Sequence, residues 1–82
     1  MSEASLRDAV ALLEAGDWQA AHPLTQTSDS ALASWAHGIV HLIEGDISMA
    51  RYWYAQAGRS FPEKDAIDAE IAGLKVALHN EF

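Results

Sequence analysis

The chain has 82 residues, no cysteine, and a net charge of −7 from twelve acidic and five basic residues. So short a chain forms a single domain, residues 1–82, and the missing cysteines exclude disulfides, iron–sulfur clusters and thiolate zinc sites. The acidity disfavours nucleic acid and anionic membranes as partners. Residues 1–8 contain no apolar run suited to secretion or membrane spanning, so we expect a cytoplasmic protein.

Turn residues at short intervals separate segments whose apolar residues recur at helical spacing. Gly16, Gly45 and Gly58 are suitable helix stops, and Asp17 and Asp46 are suitable N-caps for the helices that follow. The sequence therefore predicts an all-α fold of four to five short antiparallel helices, at about 2–15, 18–26, 31–44, 47–57 and from 62 onward.

Two local features modify this pattern. Pro23 lies inside the second helix, where it removes a backbone donor, so this helix should be short or kinked. Ser60 and Glu63 form a capping-box pattern, which predicts that the fifth helix begins at Pro62.

The helix, Gly-Asp turn, helix unit occurs twice, because residues 13–18 can be laid over residues 42–47. In the second copy, small residues at Gly38, Ala50 and Ala57 would let two helices approach closely, with Tyr54 filling the gap. With Pro62, these positions have the spacing of the tetratricopeptide repeat, and residues 31–64 resemble that family. The resemblance implies helical hairpins closed by a C-terminal capping helix.

The third helix carries an apolar stripe and, on another face, a stripe that includes His37, His41 and Glu44. The i, i+4, i+7 spacing places two imidazoles and a carboxylate side by side, as a metal site or an acid–base pair requires. The alternative is that these histidines are merely packed or solvated. His22 in the second helix could join the cluster, or could instead be a helix-end residue bonded to a carbonyl.

A second resemblance covers about residues 12–62. His41 begins a His-x-x-Glu-Gly-Asp stretch that is followed by Tyr-Trp-Tyr-x-x-Ala-Gly, and upstream lie Trp-x-x-Ala-His ending at His22 and Trp-x-His ending at His37. This pattern is similar to that of a group of small, mostly bacterial proteins of unassigned activity. The resemblance implies the same site residues and says nothing about chemistry.

Three consecutive aromatic residues in the fourth helix point in three directions. Tyr54 is the predicted core member, whereas Tyr52 and Trp53 could line a ligand pocket or fill a dimer contact. For Arg51 and Arg59, we expect pairing with carboxylates such as Glu44 or with helix carbonyls.

Two functional hypotheses follow. The first is a small non-enzymatic helical-repeat module that acts through a homodimer or a protein partner, because helices one and three carry more apolar surface than the hairpins would cover. The second is a small-molecule or metal-binding protein, including a hydrolase, with no cofactor other than a divalent transition metal. Its candidate ligand-binding residues are His22, His37, His41, Glu44, Tyr52 and Trp53, and its candidate metal ligands are His37, His41 and Glu44.

Overall fold

Five helices account for the secondary structure in the computed structural model, which describes residues 3–63 and 65–81. No strand occurs in these two ranges, so the prediction of an all-α fold is confirmed. No helix among these residues has the length and apolar character needed to cross a membrane. The helices are α1 (Glu3–Glu14), α2 (Trp18–Thr25), α3 (Ala31–Glu44), α4 (Ile47–Ala57) and α5 (Ile67–Glu81).

The Gly-Asp turns end and restart helices as the sequence predicts. Gly45 has a φ of 91°, a left-handed conformation that glycine adopts without a Cβ clash, and its amide closes the end of α3 on carbonyls of the last turn. The Asp46 side chain then accepts a hydrogen bond from the Met49 amide, as Asp17 does from the Ala20 amide at the start of α2. Helix α2 is short, eight residues, and ends two residues after Pro23.

The helices pack in sequence order, and α5 then closes the bundle. Helix α1 packs on α2, α2 on α3 and α3 on α4, while α5 packs against both α3 and α1. Ile71, Leu74 and Leu78 of α5 are buried in the same core as the apolar stripes of α1 and α3. The apolar surface that we expected to remain uncovered on helices one and three is therefore largely covered within the chain.

Helices α3 and α4 approach closely at Gly38. A Cβ atom added to Gly38 would lie 2.6 Å from Cδ1 and 2.8 Å from Cε1 of Tyr54, whose side chain is 1% exposed. Ala50 is fully buried. The small residues therefore make the close contact that their spacing predicts, whereas membership of the tetratricopeptide family stays a prediction.

The predicted start of the last helix at Pro62 is wrong, because α5 begins at Ile67. Residues 59–63 are not helical, and Phe61 packs edge-on against the Tyr54 ring, with the Arg51 guanidinium 4.2 Å above the Phe61 centroid. This non-helical segment connects the end of α4 to α5, which packs on α3 and α1. A helix starting at Pro62 would leave fewer residues for this connection.

A half-buried carboxylate, Glu70, joins α5 to the α3–α4 pair. Oε1 of Glu70 accepts hydrogen bonds from the Trp35 indole nitrogen at 3.0 Å and from the Tyr54 hydroxyl at 2.7 Å. Burial and the bond to Glu70 raise the pKa of the Tyr54 phenol well above its usual range. The Arg59 guanidinium lies 3.5 Å above the Trp35 ring, so both Arg51 and Arg59 are placed over aromatic rings rather than on the expected carboxylates.

Candidate functional site

Three histidines from two helices converge on one point. His22 comes from α2, and His37 and His41 come from successive turns of α3. One ring nitrogen from each lies within 4.8 Å of the other two, and Nε2 of His22 is 2.9 Å from Nε2 of His37. The structure therefore joins His22 to the pair that the sequence placed on one helix face.

Local helix geometry explains this convergence. His37 and His41 are four residues apart, so their rings stack, with centroids 4.9 Å apart and planes 21° apart. Helix α2 packs against α3, and Ala21, the neighbour of His22, is fully buried. The Thr25 hydroxyl donates to the His22 carbonyl at 2.7 Å, which completes the last turn of α2 around Pro23. The His22 ring makes edge-to-face contacts with both other rings, with centroid distances of 4.7 Å to His37 and 5.2 Å to His41.

Burial keeps the centre of this cluster uncharged. His37 is 4% exposed, and its pKa is lowered from 6.5 to about 4 by burial first and then by the neighbouring His22 and His41. At neutral pH His37 is therefore a neutral imidazole with one unprotonated nitrogen. Between the two Nε2 atoms of His22 and His37 one hydrogen bond can form, with one ring donating and the other accepting.

Glu44 orients His41 from outside the cluster. Its Oε1 lies 2.8 Å from Nδ1 of His41, so a proton on Nδ1 is donated to the carboxylate and Nε2 of His41 keeps its lone pair. The sequence predicted Glu44 as a third metal ligand beside His37 and His41. In the structure His22, His37 and His41 form one group of potential ligands, whereas Glu44 is grouped with His41 and Asp46 and contacts Nδ1 of His41, so the choice of ligands stays a prediction.

Trp53 covers the cluster from α4. Its ring stacks on His37, with centroids 4.0 Å apart and planes 13° apart, and its buried Nε1 is the one buried side-chain donor without a hydrogen-bond partner in residues 3–63 and 65–81. Tyr52 meets Trp53 edge-on at 5.0 Å but is 52% exposed. Of the two predicted pocket aromatics, only Trp53 contacts a histidine of the cluster.

A surface hollow reaches the cluster at His37. It has a volume of about 540 Å³ and lies between the α2–α3 loop and Trp53. Its lining comprises Thr25, Gln26, Thr27, Ser28, Asp29, His37 and Trp53. His37 is buried, and it belongs both to the histidine cluster and to the wall of this hollow.

The distances between the nitrogens suit a transition metal. Tetrahedral zinc with Zn–N bonds of about 2.0–2.1 Å separates its ligand nitrogens by roughly 3.3 Å. The three nitrogens here lie within 4.8 Å of one another, and the pair from His22 and His37 would open slightly from 2.9 Å. A second group, His41 with Glu44 and Asp46, is also close, but Asp46 caps α4.

Comparison with known proteins finds no matching family model, no similar curated protein and no similar solved structure. The function must therefore be argued from the geometry of the site.

Sequence reasoning missed two parts of the arrangement. The stack of Trp53 on His37 depends on how α4 is rotated against α3, and the Glu70 contacts join residues that are 35 and 16 positions apart. For Trp53 the only signal was an aromatic residue pointing away from the predicted core. For Glu70 the sequence offered no signal.

Proposed function

We propose that the protein binds one divalent transition metal ion, with zinc as the best fit, through His22, His37 and His41. The observation that carries this proposal is the convergence of three ring nitrogens from α2 and α3 within 4.8 Å. Neutral imidazole nitrogen is a common ligand of zinc, copper, iron and nickel, and the chain has no cysteine to compete for the ion.

One further contact and one pKa shift support a ligand role over simple packing. Metal-bound histidines usually donate their other ring N–H to a carboxylate or carbonyl, which is the contact that His41 makes with Glu44. The low pKa of His37 keeps this ring a neutral imidazole at neutral pH, which is the form that binds a metal ion. A purely structural cluster of three imidazoles would need neither feature.

Titration calorimetry with Zn²⁺ tests the proposal, with His22→Gln as the variant and His79→Gln as its matched control. His79 is the remaining histidine, exposed on α5 and outside the cluster. We expect one zinc ion per wild-type chain, a loss of roughly 100-fold or more in affinity for His22→Gln, and no change for His79→Gln. Equal affinities of the two variants would contradict the proposal, provided that circular dichroism shows both to be folded.

A second candidate function, self-association or binding of a protein partner, is favoured by apolar side chains at the surface. Ile47 and Tyr52 of α4 are 47% and 52% exposed, and Val76 of α5 is 59% exposed. A weak homodimer through the start of α4 would shield Ile47. Sedimentation equilibrium at micromolar concentration should then show a dimer that Ile47→Glu weakens, and a monomer at all concentrations would refute this candidate. For either function we propose a cytoplasmic location.

A further inference from the structure

We propose that the bound metal keeps one exchangeable coordination position facing the hollow beside Trp53, and that a metal-bound hydroxide there hydrolyses small uncharged carboxylic esters. This inference rests on the proposed metal binding and adds an activity to it. Its structural basis is the number of ligands, the position of Glu44, and the surface that His37 shares with the hollow.

The number of ligands is three. Within residues 3–63 and 65–81, no fourth histidine or carboxylate joins the group formed by His22, His37 and His41. Structural zinc sites are closed by four protein ligands, whereas three protein ligands leave a position for water and its exchange. Three neutral imidazoles also leave the full charge of the ion to lower the pKa of that water to about 7.

Glu44 is not free to close the fourth position. Its Oε1 accepts the hydrogen bond from Nδ1 of His41 at 2.8 Å, so in this proposal Nε2 is the His41 nitrogen that binds the metal. Moving the carboxylate to the metal would break this bond and leave Nδ1 without its acceptor. In the observed position Glu44 makes His41 a more basic ligand and fixes the direction of its lone pair.

The hollow supplies access and space. His37 is the one cluster histidine in its lining, so a molecule in the hollow comes nearest to the proposed metal site at this residue. A volume of about 540 Å³ is in the range that small-molecule sites occupy. Trp53 forms an apolar wall, and the backbone and short polar side chains of residues 25–29 form the other.

Charge selects the class of ester. Asp29 lies in the lining of the hollow and is exposed, Glu44 lies on the outer side of His41, and the whole chain carries −7. Phosphate esters and other anions would meet this negative potential on approach. An uncharged carboxylic ester meets no such barrier, and its carbonyl oxygen can still be polarised by the ion.

The reaction consumes one water per ester. Hydroxide on the metal attacks the carbonyl carbon, the bond from that carbon to the alcohol oxygen breaks, and the alcohol leaves with one proton. The carboxylate product dissociates, a new water takes its place, and that water gives one proton to the solvent. The sum is ester plus water to carboxylic acid plus alcohol, without any oxidant or reductant.

Two measurements on the full chain test the inference. The first follows the visible absorption of the Co²⁺-loaded protein while acetohydroxamate is added, and reports directly on an exchangeable position. The second compares hydrolysis of 4-nitrophenyl acetate by the Zn²⁺-loaded protein, by the metal-free protein and by free Zn²⁺. We expect a saturable spectral change, and a rate for the zinc protein at least on the order of tenfold above both controls.

The outcomes separate the inference from the function on which it rests. Binding of one metal ion with an unchanged Co²⁺ spectrum, or with no rate above the controls, overturns the inference and leaves the metal site standing. Absence of metal binding overturns both.

Asp29→Asn tests the role of the hollow, with Asp8→Asn on the exposed face of α1 as its control. Both variants remove one negative charge from the chain, but only Asp29 lies in the hollow. The quantity compared is the rate of hydrolysis of 4-nitrophenyl phosphate divided by that of 4-nitrophenyl acetate. We expect Asp29→Asn to raise this ratio by roughly two- to fivefold, which is the effect expected from removing one partly screened charge. We expect Asp8→Asn to leave the ratio unchanged. Equal ratios in both variants would contradict entry through the hollow.

Discussion

Gly38→Ala is the change that tests most sharply how α3 is held against α4. The added methyl group would lie 2.6 Å from Cδ1 and 2.8 Å from Cε1 of Tyr54. Tyr54 has little room to move, because its side chain is 1% exposed and its hydroxyl is bound to Glu70 at 2.7 Å. The two helices must therefore separate, or the Tyr54 ring must leave its position and weaken that hydrogen bond.

The expected magnitude is the difference of two opposing terms. Overpacking a rigid core costs about 1–3 kcal/mol. We expect a cost toward the upper end of this range, because the Tyr54 ring has little room to move. Alanine is favoured over glycine inside a helix by about 1 kcal/mol. The free energy of unfolding should thus fall by about 1–2 kcal/mol, which for a domain of this size lowers the melting temperature by roughly 5–10 °C.

Gly73→Ala is the matched control for this experiment. Gly73 lies within α5, and a methyl group there would sit 3.4 Å from the nearest atom of the Trp35 ring, close to an ordinary contact distance. Here the gain in helix propensity should dominate, so we expect the free energy of unfolding to be unchanged or to rise by up to about 1 kcal/mol. Urea denaturation followed by circular dichroism measures both variants. If Gly38→Ala is as stable as Gly73→Ala, the described approach of α3 to α4 is wrong.

Three other predictions concern the side chains around the site and the Glu70 contacts. Between pH 6.5 and 4, His37 takes up a proton in the unfolded chain but not in the folded chain. The metal-free protein should therefore lose up to about 3 kcal/mol of stability as the pH falls through this window. In urea denaturation, His37→Gln should make this decline less steep. Glu70→Ala leaves the buried donors of Trp35 and Tyr54 without their acceptor and should cost about 2–4 kcal/mol, whereas Tyr54→Phe removes one donor and should cost about 1 kcal/mol in the same assay. Glu44→Ala should weaken zinc binding in calorimetry about 10- to 100-fold, while Glu44→Gln, which keeps an oxygen acceptor for His41, should weaken it less.

Each of these predictions has a result that would contradict it. A stability profile that stays flat between pH 6.5 and 4 would mean that His37 is protonated in the folded state. Equal costs for Glu70→Ala and Tyr54→Phe would mean that the indole donor finds another acceptor. Equal and complete loss of zinc binding in both Glu44 variants would mean that Glu44 is itself a ligand.

The sequence predicted the helices well where a local signal marks their ends. Gly45 and Asp46 stop one helix and cap the next by contacts within a few residues, so the bounds of α3 and α4 agree with the expectation. The capping-box pattern of Ser60 and Glu63 failed for a non-local reason. Phe61 packs against the Tyr54 ring in the non-helical segment before α5, and this tertiary contact is not visible in the local pattern.

The candidate site shows the same division between local and tertiary information. The pairing of His37 with His41 follows from helical spacing alone, and so does the contact of His41 with Glu44. That His22 would complete the cluster depends on the angle at which a short helix containing Pro23 meets α3. A pattern along one helix can predict neighbours on that helix, but it cannot choose between a carboxylate one turn away and an imidazole from another element.

X-ray absorption spectroscopy at the zinc edge of the metal-loaded protein is the most direct test of the central claim, that three imidazoles hold one ion. We predict three imidazole nitrogens and one exchangeable oxygen ligand at about 2.0–2.1 Å. Compared with the wild-type spectrum, the spectrum of His22→Gln should fit one imidazole fewer, and that of His79→Gln should fit the same number. A first shell with fewer than three imidazoles in the wild-type protein would contradict the account.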